Sequence, residues 1–241
     1  PNTGYVQTIA EGSTTITGTL QINGKPSLYS VSTTLSVGPE FVVKNGYLQE
    51  YHGKGGEVTI PKNLNVYYIF EEAFADNANI TSLEISSPCT EIQQFAFANM
   101  KALKKVIFPE SVEYVHAYAF YGCTNLEEVY FHSRAITIGD MVFAGCTSLK
   151  TIQNIKLLNG NKAEDVEILD LKEGVDYTYT TANMTSVGIQ SFFGCTSLES
   201  LDLTQLRKAG QAAFAGCTSL EYVKLSRYTS IADDMFLGCI K

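Results

Sequence analysis

Charge is scarce in this chain. Only 17% of its 241 residues are Asp, Glu, Lys or Arg, and the formal net charge is −8. No cluster of Lys or Arg occurs, so nucleic acid, which needs a basic patch, is a poor candidate partner. Long apolar runs are missing as well. No stretch approaches the roughly 18 to 20 residues of a membrane span, and membrane insertion is not expected. The common catalytic signatures G-x-S-x-G, H-E-x-x-H and the P-loop are absent. Gly53-Lys54-Gly55-Gly56 lacks the flanking spacing of a P-loop and reads as a turn. There is no C-x-x-C, and His52, His116 and His132 fall at unrelated positions, so no metal site and no cofactor are inferred. These gaps lead to the expectation of a non-catalytic protein. The first residue is proline, not methionine, which leads to the expectation of an excised piece, with any signal peptide or anchor outside it.

What is present is a beat. Phe74, Phe97, Phe120 and Phe143 recur every 23 residues, and Phe192, Phe214 and Phe236 every 22. A period of this size marks a solenoid, in which the core exists only because turns stack. Six residues after the phenylalanine stands Ile80, Leu103, Leu126, Leu149, Leu198 or Leu220; nine after stands Leu83, Val106, Val129, Ile152, Leu201 or Val223. Eleven after come Ile85, Phe108, Phe131, Leu203 and Leu225, with Asn154 breaking the column. The result is L-x-x-V-x-F, whose last two apolar sites point to the same face of a strand. A second apolar pair, such as Val112 and Val115 or Ile136 and Ile138, supplies a second wall.

Four repeats carry Gly-Cys-Thr-Ser/Asn-Leu, beginning at Gly122, Gly145, Gly194 and Gly216. Glycine permits a tight corner, and Thr, Ser or Asn can bond nearby main chain. Cys123, Cys146, Cys195, Cys217 and Cys239 share one position in the repeat. Residues chosen by repeat position read as packing residues, so free buried thiols are expected. A bridge between neighbouring coils remains sterically open, since coils lie roughly 4.8 Å apart.

The segment Phe108 to Phe131, FPESVEYVHAYAFYGCTNLEEVYF, resembles the repeat of the BspA-like leucine-rich-repeat family, and the lead-in Phe41 to Pro61 is similar to the segment that often opens such arrays. The resemblance covers about residues 41–154 and 184–241. The first two coils depart from it, with Asp76-Asn77 and Asn99-Met100 in place of Gly-Cys, and the chain stops in mid-repeat. The expected fold is a mostly β repeat solenoid with short irregular or helical return segments: a right-handed stack of about seven coils over residues 59–241, with an N-terminal β cap and all the L-x-x-V-x-F strands in one parallel sheet. Residues 40–58 are expected to lead into the array.

Residues 1–39 lack the beat and alternate in hydrophobicity around Asn23-Gly24, a favoured hairpin turn. They read as a hairpin or small β unit covering the open end of the stack, or as the tail of a preceding β-sandwich module. The 49-residue step from Phe143 to Phe192 exceeds one turn by 26 residues, which places an insertion at about 155–183. Glu164–Leu169 and Val175–Tyr179 read as two strands around Lys172-Glu173-Gly174. The insertion is either a tolerated loop or a projection that contacts a partner.

Outward strand positions are the candidates for recognition. Stacking aligns Ser82, Lys105, Glu128, Thr151, Ser200 and Tyr222 into one stripe, and Glu84, Ile107, Tyr130, Gln153, Asp202 and Lys224 into another. The expected protein-binding residues are Lys105, Ile107, Glu128, Tyr130, Asp202, Tyr222 and Lys224, with Ile107 and Tyr130 as a patch ringed by charge. The family resemblance implies an extracellular or bacterial cell-surface module that adheres to a host matrix or plasma protein, such as fibronectin or fibrinogen, or to other cells. A structural spacer within a larger surface protein is the alternative, and a carbohydrate-binding module a remote one. A monomer is favoured over an oligomer.

Overall fold

The computed structural model describes residues 12–22, 25–37, 40–132, 135–157, 177–181 and 184–239. From Gly56 onward the chain winds into coils with three sides: a front strand, a side strand and a phenylalanine corner. The front strands Gly56–Ile60, Ile80–Ile85, Lys105–Ile107, Glu128–Phe131 and Thr151–Leu157 pair in parallel. Side strands Tyr68–Ile69, Glu91–Ile92, Tyr114–Val115, Ile136–Ile138, Met184–Val187 and Lys208–Ala209 form a second parallel wall. The only helix among the described residues is the 3-10 turn Lys62–Leu64, so the return segments are turns.

Strand alternation sets the core. Val106, Val129 and Leu201, with Phe108, Phe131 and Leu203 two positions on, are all at most 1% exposed. At the corner, Phe74, Phe97, Phe120, Phe143, Phe192, Phe214 and Phe236 stack ring on ring, with six centroid separations between 4.9 and 5.6 Å. Seven corners joined by six contacts make about six full turns. Offset or parallel rings at this separation add roughly 0.5–1.5 kcal/mol per pair beyond burial. Phe108 and Phe131 form a second, shorter stack at 4.7 Å, joined edge-on to Phe120.

The corner backbone explains the departures from Gly-Cys in the first two coils. Every ladder phenylalanine has a left-handed residue two positions before it and another two positions after it. Those after it are Asp76 (φ 57), Asn99 (φ 58), then Gly122, Gly145, Gly194, Gly216 and Gly238. Asp and Asn are the L-residues that tolerate this region best, through short local hydrogen bonds. They are therefore substitutes for glycine in the same corner. Each cysteine that follows donates its Sγ–H to the carbonyl of the ladder phenylalanine one coil back, from Cys123 to Phe97 (3.0 Å) through Cys239 to Phe214 (3.2 Å). All six cysteines are free thiols.

The front strands do not form one sheet. Thr151–Leu157 pairs on its far side with Tyr177–Thr181, which runs antiparallel, and among the described residues Ser200–Leu203 pairs only with Tyr222–Leu225. The cause is competition for one edge: the returning arm of the insertion takes the hydrogen bonds that the next front strand would have made. Strand Tyr177–Thr181 thus pairs with the array, whereas Glu164–Leu169, expected as its partner, lies outside the described residues. The other two sides carry on across the insertion. Ile136–Ile138 pairs with Met184–Val187, and Phe143 N–H donates to Ser191 O at 2.7 Å.

At the N-terminal end, Phe41–Lys44 pairs antiparallel with Tyr47–Tyr51, which pairs in parallel with Tyr68–Ile69. Tyr51 stacks on Phe74, and Phe41 packs against Tyr51, so these residues finish the aromatic ladder. Gly12–Ile22 and Lys25–Val37 form a separate antiparallel hairpin. The Asn23-Gly24 turn lies outside the described residues, but Ile22 and Lys25 pair on either side of it.

Candidate functional site

The front face places the expected contact residues in two groups. In the first, Lys105 Nζ lies 5.1 Å from the Tyr130 ring centroid and 4.0 Å from Glu128 Oε2, to which the Tyr130 hydroxyl donates at 3.1 Å. In the second, Lys224 Nζ lies 3.7 Å from Asp202, and Tyr222 is 60% exposed. Burial works against the Asp202 charge, but hydrogen bonds from Thr204 and the Lys224 ammonium outweigh it and hold the carboxyl below its ordinary range. The antiparallel arm Tyr177–Thr181 stands between the groups in strand order.

Ile107 does not join this surface. It is in register between Glu84 and Tyr130 but only 2% exposed. A short branched side chain between two longer neighbours lies in their shadow, so the expected Ile107–Tyr130 patch reduces to Tyr130 with its charged flanks.

The side wall carries a set of residues that the strand-face reading missed. Leu48, Ile69, Ile92, Val115 and Ile138 are buried, so the residues before them, Tyr47, Tyr68, Glu91, Tyr114 and Thr137, face outward in one registered column. Tyr47 stacks on Tyr68 at 4.6 Å and meets Phe70 edge-on. Tyr47, Phe70 and Tyr114 are 37%, 44% and 46% exposed. Between the aromatics, Glu91 Oε2 accepts from Gln93 Nε2 at 3.1 Å and lies 3.0 Å from His116 Nε2. A cavity of about 400 Å³ opens beyond Tyr114, lined by Glu110, Glu113, Thr137 and Thr185 among others. The signal for this column was available: Tyr68, Glu91, Tyr114 and Thr137 follow the same 23-residue beat as the phenylalanines.

Among the described residues, neither face assembles nucleophilic or acid–base machinery. Burial pushes the Cys89, Cys123 and Cys217 thiols up to about 12, and Cys146 and Cys195 well above the ordinary thiol value. A thiol that high offers almost no thiolate near neutral pH. Burial lowers His132, against the opposing pull of Glu110 and Glu84, and neither ring nitrogen has a hydrogen-bond partner among the described residues. Burial thus disfavours the charged form of that ring, and no nucleophile among the described residues is hydrogen-bonded to it. No group of three or more His, Cys, Asp or Glu among the described residues is arranged to hold a metal.

Six copies of the BspA-type leucine-rich-repeat region match the chain, over residues 51–161 and 175–241. No curated protein matches it in sequence. Among solved structures, a leucine-rich-repeat protein of T. pallidum is 21% identical with a TM-score of 0.54, the match covering 74% of this chain and 73% of that one. The pneumococcal vaccine antigen PcpA is 20% identical with a TM-score of 0.53. That match covers 82% of this chain and 49% of PcpA, so the chain spans about half the antigen's length.

Proposed function

The chain belongs to the BspA-type leucine-rich-repeat family, and from that premise we propose that it is a non-catalytic recognition module, displayed on a bacterial surface or secreted, that binds a protein ligand. The observation that carries this reading is the front face. Lys105, Glu128 and Tyr130 hold one another in place, and Asp202 and Lys224 do the same beside an exposed Tyr222. Side chains already fixed by their neighbours lose less freedom when a partner docks. Tyrosine is also among the residues in which interface energy concentrates. A similar fold in a pneumococcal antigen is consistent with a surface role.

The test is a panel of host matrix and plasma proteins presented to the immobilised protein, with association followed by surface plasmon resonance. For any binder found, Tyr130→Ala combined with Tyr222→Ala should weaken affinity by more than about tenfold while leaving the thermal transition in place. Binding that survives this change but disappears when residues 158–176 are replaced by a short linker moves the site to the insertion. A panel with no binder favours the spacer alternative.

A further inference from the structure

The side wall contains a gap between two tyrosines of one outward column. Tyr47, Tyr68 and Tyr114 face outward in register, and Glu91 stands between Tyr68 and Tyr114. One face of the Tyr68 ring is covered by Tyr47, with the planes only 17° apart; the other face is turned toward the Glu91 coil. Tyr114 flanks that coil from the opposite side, with the His116 ring 5.9 Å from its own, so His116 lines the edge of the same gap.

Spacing decides what fits there. Two coil steps separate the tyrosines by roughly 9.6 Å at roughly 4.8 Å per coil. A cation lodged midway would lie within the roughly 6 Å reach of both rings. The floor of the gap is a carboxylate, not an apolar group. Glu91 is held by Gln93 and His116, and both of those contacts fall on Oε2, which leaves Oε1 to accept from a guest. A flat guanidinium can stack against tyrosine faces while donating to a carboxylate; an ammonium offers only a point charge. The chain's net charge of −8 and the carboxylates Glu110 and Glu113 in the cavity beyond Tyr114 favour a basic guest and leave room for the residues that follow it.

We propose that Tyr68, Glu91 and Tyr114 form a slot for an arginine side chain of a partner protein. The slot lies on a different wall from the front-face clusters and does not depend on them.

The probe is ethylguanidinium, titrated at constant ionic strength and millimolar concentration, with the tyrosine ring resonances followed by NMR and assigned through single Tyr→Phe variants. The expected result is saturable shifts at Tyr68 and Tyr114 and none at Tyr130. The variant Glu91→Gln should weaken binding by about tenfold, as loss of a charge-assisted contact implies, with the thermal transition unchanged. Tyr114→Leu should abolish saturation, and an arginine-containing peptide should bind more tightly than its lysine counterpart. Shifts that rise linearly without saturating, or that ignore Glu91→Gln, overturn the proposal. Equal affinity for tetramethylammonium also overturns it, because it would identify a site for quaternary ammonium groups. Failure of the front-face variants to alter partner binding leaves these ring shifts untouched, so the two readings fail separately.

Discussion

Replacing Phe143 by Ala tests the architecture at its most demanding point. Phe143 is fully buried and lies between Phe120, at 5.4 Å, and Phe192, at 5.2 Å. Its N–H donates to Ser191 O and its carbonyl accepts from Cys195 Sγ, so it joins the coils on either side of the insertion. Removing a buried phenylalanine costs about 3–5 kcal/mol. Two ring contacts, each worth roughly 0.5–1.5 kcal/mol beyond burial, put the expectation near the top of that range. Phe236 provides the internal control. It is partly buried and stacks on one ladder ring, Phe214, so Phe236→Ala should cost less than about 2 kcal/mol. Repeat stacks derive stability from nearest-neighbour interfaces, and the front sheet is already broken at this junction. Phe143→Ala should therefore split urea unfolding into two steps, whereas Phe236→Ala should only shift it. Circular dichroism with tyrosine fluorescence would follow both steps, since the chain has no tryptophan. A cost below about 1 kcal/mol, or one no larger than that of Phe236→Ala, would refute the load assigned to the ladder.

Thiol titration in denaturant without reductant should count six free thiols; in the native protein Cys239, the one cysteine that is not fully buried, should react first, and four or fewer thiols in denaturant would mean a disulfide. Asp202 has a depressed carboxyl pKa, so its contribution to stability is present above the ordinary carboxylate range and is lost as pH falls through the folded value. Asp202→Asn should remove that acid-side dependence in pH-resolved denaturation, by less than about 1 kcal/mol because the pair is largely solvated. Gly145→Ala should cost only about 1–2 kcal/mol for its left-handed backbone, since the nearest atom to an added Cβ lies 3.7 Å away. Gly188→Ala should cost distinctly more, because its Cβ would fall 2.5 Å from the carbonyl carbon of Gly139; equal costs in thermal melts would contradict the packing described.

The parts of the structure that repeat were legible in the sequence, because each is enforced once per coil by burial. Phe120, Val129 and Leu126 could be placed by phase alone, and all three are buried. The corner at Asp76 and Asn99 was less plain, since the constraint acts on a backbone angle that several residue types satisfy. The break in the front sheet could not be read, because it depends on which of two strands wins one edge, and hydrophobic periodicity carries no information on that. Ile107 was misplaced for a related reason. Its column is outward, but the exposure of an outward residue depends on the length of its neighbours. The column at Tyr68 and Tyr114 has the same clear period, but the apolar pairs of the second wall mark only its buried side, and an outward position is not fixed by burial.

The interrupted front sheet also governs how the stack carries force. Through most of the array, neighbouring coils are joined by three lines of backbone hydrogen bonds: front, side and corner. Between the coils of Phe143 and Phe192 only the side and corner lines run through among the described residues. Tension along the axis is concentrated there on two of the three sides, and bending that opens the front wall meets the least resistance. Pulled along its axis, the stack would part first at that junction, leaving a short C-terminal block to swing as a unit while the N-terminal coils stay intact.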